Sequence, residues 1–377
     1  MTYRILALDG GGFRGVMSAQ LLVAIETELA KHGSTLHDYF DLVTGTSTGS
    51  ILAAGIAVGK TAQELLGLYE NYGKHIFPNY IRQLRKITNI TRAFTPIALY
   101  PHYPEWPLSP EDGVATVLST VLGDTPISAL NKPVLVIPAY DVSVRRTRWF
   151  CSNNDGYGMP QWYDSLPVWQ FCACSSSAPT FFPPFELTVP THSYPGQPEA
   201  GKKLPFIDGG VAVNNPAMLG IAHAMLMPYE KPTDTPLNLR DVAVLSIGTG
   251  RPTEPYSYKE VKGWGSLQWA TRLGDLFIPA PNDVTAAICW QIIRAECDEN
   301  AKRVLRLEYS LSKELAPIDN PHLYQDYVDF AHQYLKGETG RSSDLARVGM
   351  SETVTPLEAI AQFITANPPE ATASQPL

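Results

Sequence analysis

Short hydrophobic runs alternate along this chain with longer stretches in which apolar residues return every three or four positions. Residues 3–8 (Tyr-Arg-Ile-Leu-Ala-Leu) predict a buried strand, and Gly10 to Gly15 a loop. From Met17 to Ala30, Leu21, Leu22, Ile25 and Leu29 fall at helical spacing, and Lys31, His32 and Gly33 suit a helix end. Residues 39–44 predict a second strand, with a helix over 48–58 directly behind it. Pro133–Tyr140 and Val242–Ile247 predict further strands, the second ended by Gly248-Thr249-Gly250. Residues 284–295 predict a helix, and Pro, Gly and Thr make 188–203 a loop. Joints this tight between strand and helix favour parallel strands with right-handed crossovers. The alternation as a whole predicts an α/β layered fold.

Two stretches depart from that rhythm. Residues 71–104 contain Lys74, Arg82, Arg85, Lys86 and Arg92 but no acidic residue, and they carry Phe77, Tyr80, Phe94, Tyr100 and Tyr103 among four prolines. Such a basic, aromatic insertion reads as a lid or as a solvated loop with packing aromatics. From Ala366 to Leu377 the composition predicts a disordered tail, which leaves one domain over residues 1–365.

The charge balance narrows the function. A formal net charge of -8 disfavours a nucleic-acid partner, because no basic excess is present to neutralise phosphates. Five cysteines without a CxxC pair read as reduced thiols of a cytoplasmic protein, and Cys172 and Cys174 lack the spacing of a zinc site. Arg4–Leu8 is too short for a secretory leader, with Asp9 following at once. No apolar stretch reaches the ~20 residues of a transmembrane helix.

The candidate chemistry lies in the loops. Gly45-Thr46-Ser47-Thr48-Gly49 sits between a predicted strand and a predicted helix, the context in which G-x-S-x-G is a nucleophile elbow. The helix behind it would aim its free N–H groups and positive dipole end at Ser47. Asp9-Gly10-Gly11-Gly12-Phe13-Arg14-Gly15 follows the first strand, and consecutive glycines allow backbone N–H groups to converge on an anion. Gly10, Gly12 and Gly15 also match the dinucleotide fingerprint, but the second strand then ends in Gly45-Thr46-Ser47 where that fingerprint needs a carboxylate. Asp208 ends the apolar run Leu204–Ile207 and precedes Gly209-Gly210, as a strand-end base or as the first residue of a turn. None of the eight histidines has a context that singles it out.

In that order, the Asp9–Gly15, Gly45–Gly49 and Asp208–Gly210 motifs resemble those of the patatin-like phospholipases. Ser177–Pro183 and Val213–Pro216 are similar to further family segments, and the resemblance spans about residues 4–250. It implies a three-layer α/β/α sandwich around a mainly parallel central sheet. It further implies a Ser–Asp dyad, with Ser47 as nucleophile, Asp208 as general base, and Gly10, Gly11, Gly12 and Arg14 around the oxyanion. Neither cofactor, metal nor catalytic histidine is implied. Ser50 departs from the third glycine that family members often carry.

The implied activity is that of a lipid acyl hydrolase of phospholipase A type, cytoplasmic and meeting its lipid substrate at a membrane surface. Phe13, Phe181 and Phe182 are the expected acyl-contacting residues. Two other readings stand beside it. One is an esterase with a Ser-His-Asp triad, its base His223, His322 or His332. The other is a catalytically idle binding module, which would predict a spoiled motif, whereas all three are intact.

Overall fold

The computed structural model describes residues 2–87, 99–104, 109–153, 160–190, 196–226, 237–252, 254–265, 268–269, 276, 280–297, 302–340 and 354–369. Its centre is an eight-stranded sheet. The strands are β1 (Tyr3–Leu8), β2 (Leu42–Gly45), β3 (Val134–Asp141), β4 (Arg146–Cys151), β5 (Phe185–Thr188), β6 (Lys203–Asp208), β7 (Val242–Ile247) and β8 (Val304–Leu307). β3, β2, β1, β7 and β8 are parallel neighbours in that order, while β4 and β6 pair with β3 antiparallel and β5 pairs antiparallel with β6.

Side-chain alternation along the strands builds two cores. In β1, Leu6 and Leu8 join the larger cluster, whereas Ile5 and Ala7 face the smaller one. β7 divides in the same way, with Ala243, Leu245 and Ile247 on one side and Val242 and Val244 on the other. The thick layer over the first face contains α1 (Gly15–Ala30), α2 (Thr48–Ala57), α3 (Ala62–Ile76), α5 (Val114–Leu122), α6 (Val168–Ser176), α9 (Tyr324–Leu335) and α10 (Pro356–Ala366), with α4 (Asn79–Ile87) following α3. The thin layer contains α7 (Ala217–Leu226) and α8 (Ala280–Glu296), packed on the second face. The molecule is therefore the expected three-layer sandwich. All of α2 is buried, so this helix is held on every side and its first turn has a fixed position.

Three sequence-based boundaries differ. The second strand begins at Leu42, because Leu36–Tyr39 forms a helical turn capped by Thr35, and the Tyr39 and Phe40 rings fill the core. The tail is ordered as far as residue 369. Asn367 is fully buried, accepts from Arg303 at 2.7 Å and donates to the Lys302 and Phe363 carbonyls, and the Pro368 carbonyl accepts from Arg4. Polar composition suggests disorder there, but the Asn367 amide and the Pro368 carbonyl are bonded to the rest of the fold. Residues 370–377 lie outside the described residues.

The basic segment also divides. Residues 71–76 complete α3, so the stretch expected as an insertion starts as regular helix. The rings of Phe77 and Tyr100 are buried and meet edge-on at 5.1 Å, while Tyr80 and Tyr103 are about half exposed. Arg92 and Phe94 lie outside the described residues.

Candidate active site

β2 ends at Gly45, and the chain turns within two residues into α2. Ser47 is the N-cap of that helix at φ 53 and ψ -125, a conformation costly for a residue with a side chain. Its surroundings enforce it. The Ser47 N–H donates to Ser175 Oγ at 3.0 Å, the Ser50 hydroxyl donates to the Ser47 carbonyl at 2.6 Å, and the Thr46 hydroxyl donates to the Val213 carbonyl at 2.6 Å. The elbow also requires its flanking glycines. A Cβ at Gly45 would overlap the Gly49 carbonyl, and one at Gly49 would overlap the Leu8 carbonyl.

Asp208 reaches Ser47 through strand pairing. Val134 donates to Asp41 ahead of β2, and Val142 donates to Pro205 in β6, whereas Leu135 exchanges bonds with Ser152 beyond β4. Even-numbered residues of β3 thus face β2 and β6, and odd-numbered ones face β4. β2 and β6 therefore occupy the same edge of β3 in succession. β2 pairs as far as Val136, and β6 takes over from Ala139, which is the partner of Asp208. The step between them, Ile137-Pro138, is where the elbow fits. Ser175 closes it by donating from Oγ to the Pro138 carbonyl at 2.7 Å while accepting from Ser47.

In this position the Asp208 carboxylate accepts the Gly210 N–H at 2.6 Å and stands near enough to the Ser47 side chain for hydrogen bonding between them to lower its pKa. Burial raises its pKa from 3.8 to about 6, and the bonds from Ser47 and Gly210 hold back a larger rise. The pair is thus a hydroxyl in contact with a carboxylate made more basic by its surroundings. Such an arrangement can deprotonate the hydroxyl during attack on a carbonyl.

The glycine loop lies at the carboxyl end of β1, beside the elbow. Gly10 donates its N–H to the Asn214 carbonyl at 3.2 Å, and Phe13 donates to the Ile318 carbonyl at 2.7 Å. The Gly10 amide is thereby engaged within the protein, while the amides of Gly11 and Gly12 donate to no described residue. The Gly10 carbonyl accepts from Thr249 Oγ1 at 2.8 Å and Asn214 Nδ2 at 3.4 Å, which fixes the plane of the peptide that continues into Gly11. The Arg14 guanidinium is buried and donates to the Gly250 carbonyl at 3.1 Å.

The Patatin-like phospholipase family model matches residues 6–221, which is more than half of the chain and includes the glycine loop, Ser47 and Asp208. This chain belongs to the patatin-like phospholipase family. Patatin-like protein 1 of Arabidopsis thaliana is 30% identical over 279 residues, covering 70% of this chain and 63% of its own length. The cGAMP-activated phospholipase of Vibrio cholerae is 32% identical over 253 residues, covering 65% of this chain and 64% of its own. The chain thus spans a little under two thirds of these relatives. The solved structure of human GIVD cytosolic phospholipase A2 aligns with a TM-score of 0.32 and 14% identity over 66% of this chain and 43% of that one. A likeness that distant bears no argument.

Other residues of this patatin-family chain lie where the motifs alone do not place them. The Phe13 ring is in the core beneath the loop, packed with Tyr69, Phe77 and Tyr327. Phe182 packs with Phe77, Tyr100 and a stacked His102, and Phe181 is half-buried against the same core. Both buried rings therefore have packing partners of their own.

His223 contacts Asn153 at 2.8 Å and the Cys151 thiol, in the layer opposite α2, and His322 and His332 are exposed. Ser175 and Thr249 are site residues that motif reading misses, since a lone Ser or Thr has no local signature, whereas Asn214 falls within the family-like Val213–Pro216 segment. Among the described residues, no group of three or more His, Cys, Asp or Glu side chains is placed to hold a metal ion. No described helix is long and apolar enough to cross a membrane.

Proposed function

We propose that the protein is a lipid acyl hydrolase that cleaves carboxylic esters of membrane lipids with the Ser47–Asp208 pair. Ser47 Oγ attacks the ester carbonyl while Asp208 takes its proton, and the alcohol leaves with that proton. Water, deprotonated by the same carboxylate, then hydrolyses the acyl-enzyme. The amides of Gly11 and Gly12 and the first turn of α2 stabilise the oxyanion, the contribution on which acyl transfer depends most. The observation that carries this reading is the placing of Ser47 and a buried Asp208 carboxylate of raised basicity side by side on one edge of β3. It accounts for the chemistry without a histidine. Phe181, half-buried at the edge of its aromatic cluster, remains the best placed of the three phenylalanines to meet an acyl chain.

Hydrolysis of p-nitrophenyl butyrate and of mixed phosphatidylcholine and phosphatidylglycerol vesicles tests the reading. Ser47→Ala and Asp208→Asn should each reduce turnover by at least ~10³-fold, while His223→Ala, His322→Ala and His332→Ala retain it. Full activity of Asp208→Asn, or loss in any one histidine variant to the level of Ser47→Ala, overturns the dyad. If esters are cleaved but vesicle lipids are not, the lipid assignment fails alone.

A further inference from the structure

The two ends of the glycine loop are tied together by residues of β8 and its extension, beyond the segment that the family model matches. Asp9, which opens the loop, is almost fully buried and accepts from Arg306 twice, Nη1 to Oδ1 at 2.7 Å and Nη2 to Oδ2 at 2.5 Å. Arg306 also donates to Ser246 Oγ at 2.7 Å and to Glu308 Oε2 at 2.5 Å. The other oxygen of Glu308 accepts the Gly250 N–H at 3.1 Å. The Gly250 carbonyl accepts from Arg14, which closes the loop. A circuit therefore runs from Asp9 through Arg306, Glu308 and Gly250 to Arg14, with Gly10, Gly11 and Gly12 as the span between its ends. Asn282 of α8 supports it by donating to Asp9 Oδ2 at 3.2 Å.

Arg306 and Glu308 are two apart in an extended segment and so project to the same side, while Leu305 and Leu307 enter the large core. A buried group of two carboxylates and one guanidinium is a poor source of net stability compared with apolar packing. It does supply directional bonds with little freedom to rotate, since the Arg fork fixes the carboxylate plane. Glu308 fits closely enough that a Cβ on Gly248 would overlap its carboxylate.

We propose that Arg306 and Glu308 are positioning residues that hold the glycine loop in register with Ser47, acting through Asp9 at one end and Gly250 at the other. The inference rests on the reading of that loop as the oxyanion site. Positioning of this kind acts on the transition state, in which the oxyanion must meet its donors, more than on the bound ester.

The test is kinetic. In Glu308→Ala, kcat for p-nitrophenyl butyrate should fall by ~10- to 100-fold with KM within about twofold, somewhat less than the loss of an oxyanion donor outright. Covalent labelling of Ser47 by a fluorophosphonate should slow in parallel, with the circular dichroism spectrum unchanged. Glu308→Gln retains an oxygen for the Gly250 N–H but turns its amide N–H groups towards Arg306, so it should recover only part of the lost kcat. Should Glu308→Ala not fold, Glu308→Asp retracts the carboxylate by one methylene and should show the same kcat loss.

Wild-type kcat and labelling rate in Glu308→Ala, or a defect confined to KM, overturn the clamp. A wild-type enzyme that neither turns over nor takes the label overturns the dyad reading and the clamp with it. Normal turnover in wild type and Glu308→Ala alike removes only the clamp.

Discussion

Asp208→Asn should inactivate the enzyme and stabilise it, and the two effects share one cause. Burial raises the Asp208 pKa from 3.8 to about 6. At about 1.4 kcal/mol per pH unit, the ionised carboxylate then costs the native state about 3 kcal/mol at neutral pH. The sign follows from the direction of the shift. Below pH 3.8 the group is protonated in both folded and unfolded chains and costs nothing. Between pH 3.8 and about 6 the unfolded chain ionises first, and stability is lost as pH rises. Above about 6 the cost is complete.

Asparagine is neutral throughout and retains an oxygen for the Gly210 N–H. Chain-length scaling of the unfolding entropy, ~2.1 cal/mol/K per residue, converts the difference to about 4 °C of melting temperature for this chain. The hydrogen bonds of the new amide also contribute, but equally at every pH. The informative quantity is therefore the change in the variant's advantage between pH 7.5 and pH 4, measured by urea titration at both. An advantage that grows by about 2–3 kcal/mol from acid to neutral pH supports the argument. A difference that is flat with pH would falsify the assignment of Asp208 as a buried, raised-pKa base.

Other expectations follow from single contacts. The dependence of kcat/KM on pH should rise to a plateau with its midpoint near 6, since Asp208 must be ionised to accept the proton; a midpoint near 4 would place the carboxylate in a solvated setting. Ser175→Ala removes the acceptor of the Ser47 N–H and the donor to Pro138, leaving two buried groups unpaired. About 2–4 kcal/mol of stability and at least ~10-fold of kcat should be lost, and a variant with unchanged turnover would show that the elbow needs no such tie. Gly49→Ala drives a methyl group into the Leu8 carbonyl, so a loss of about 3 kcal/mol or more in a thermal melt is expected, and a neutral outcome refutes the close approach. Asn367→Ala deletes the bonds to Arg303, Lys302 and Phe363 at the amino ends of the strands, away from Ser47. It should cost about 3 kcal/mol with kcat intact, and unchanged stability would return residue 367 to a loose tail.

What the sequence reveals of this site is what short-range chemistry requires. Ser47 is legible because a serine between two glycines, at a strand-to-helix joint, has few other uses. Asp208 and the glycine run are legible for similar reasons, each ending a strand and each flanked by glycine. Ser175, Thr249 and Glu308 are not legible, because each acts on a backbone group distant in sequence and nothing beside it in the chain marks the role. Phe13 shows the converse. Beside three glycines it reads as a substrate contact, yet its ring packs where Gly73 of α3 leaves room. Asn367 misleads in the same sense, since its neighbours are Pro, Ala and Thr while its amide is satisfied inside the fold. Strand order is the deepest omission. Hydropathy predicts which segments are strands, but the succession of β2 and β6 along one edge of β3 is a property of pairing.

That shared edge also dictates when the proposed Ser47–Asp208 pair can form. Ser47 precedes Asp208 in the chain, and its helix and strand have partners nearby. Asp208 is added far later and docks only after β3 has been laid down for it to join. A growing or truncated chain that lacks β6 carries Ser47 without Asp208, so on the proposed reading it holds a nucleophile with no proton acceptor. On that reading ester cleavage begins only when the β3–β6 pairing has closed, and catalytic onset in a refolding experiment reports that closure.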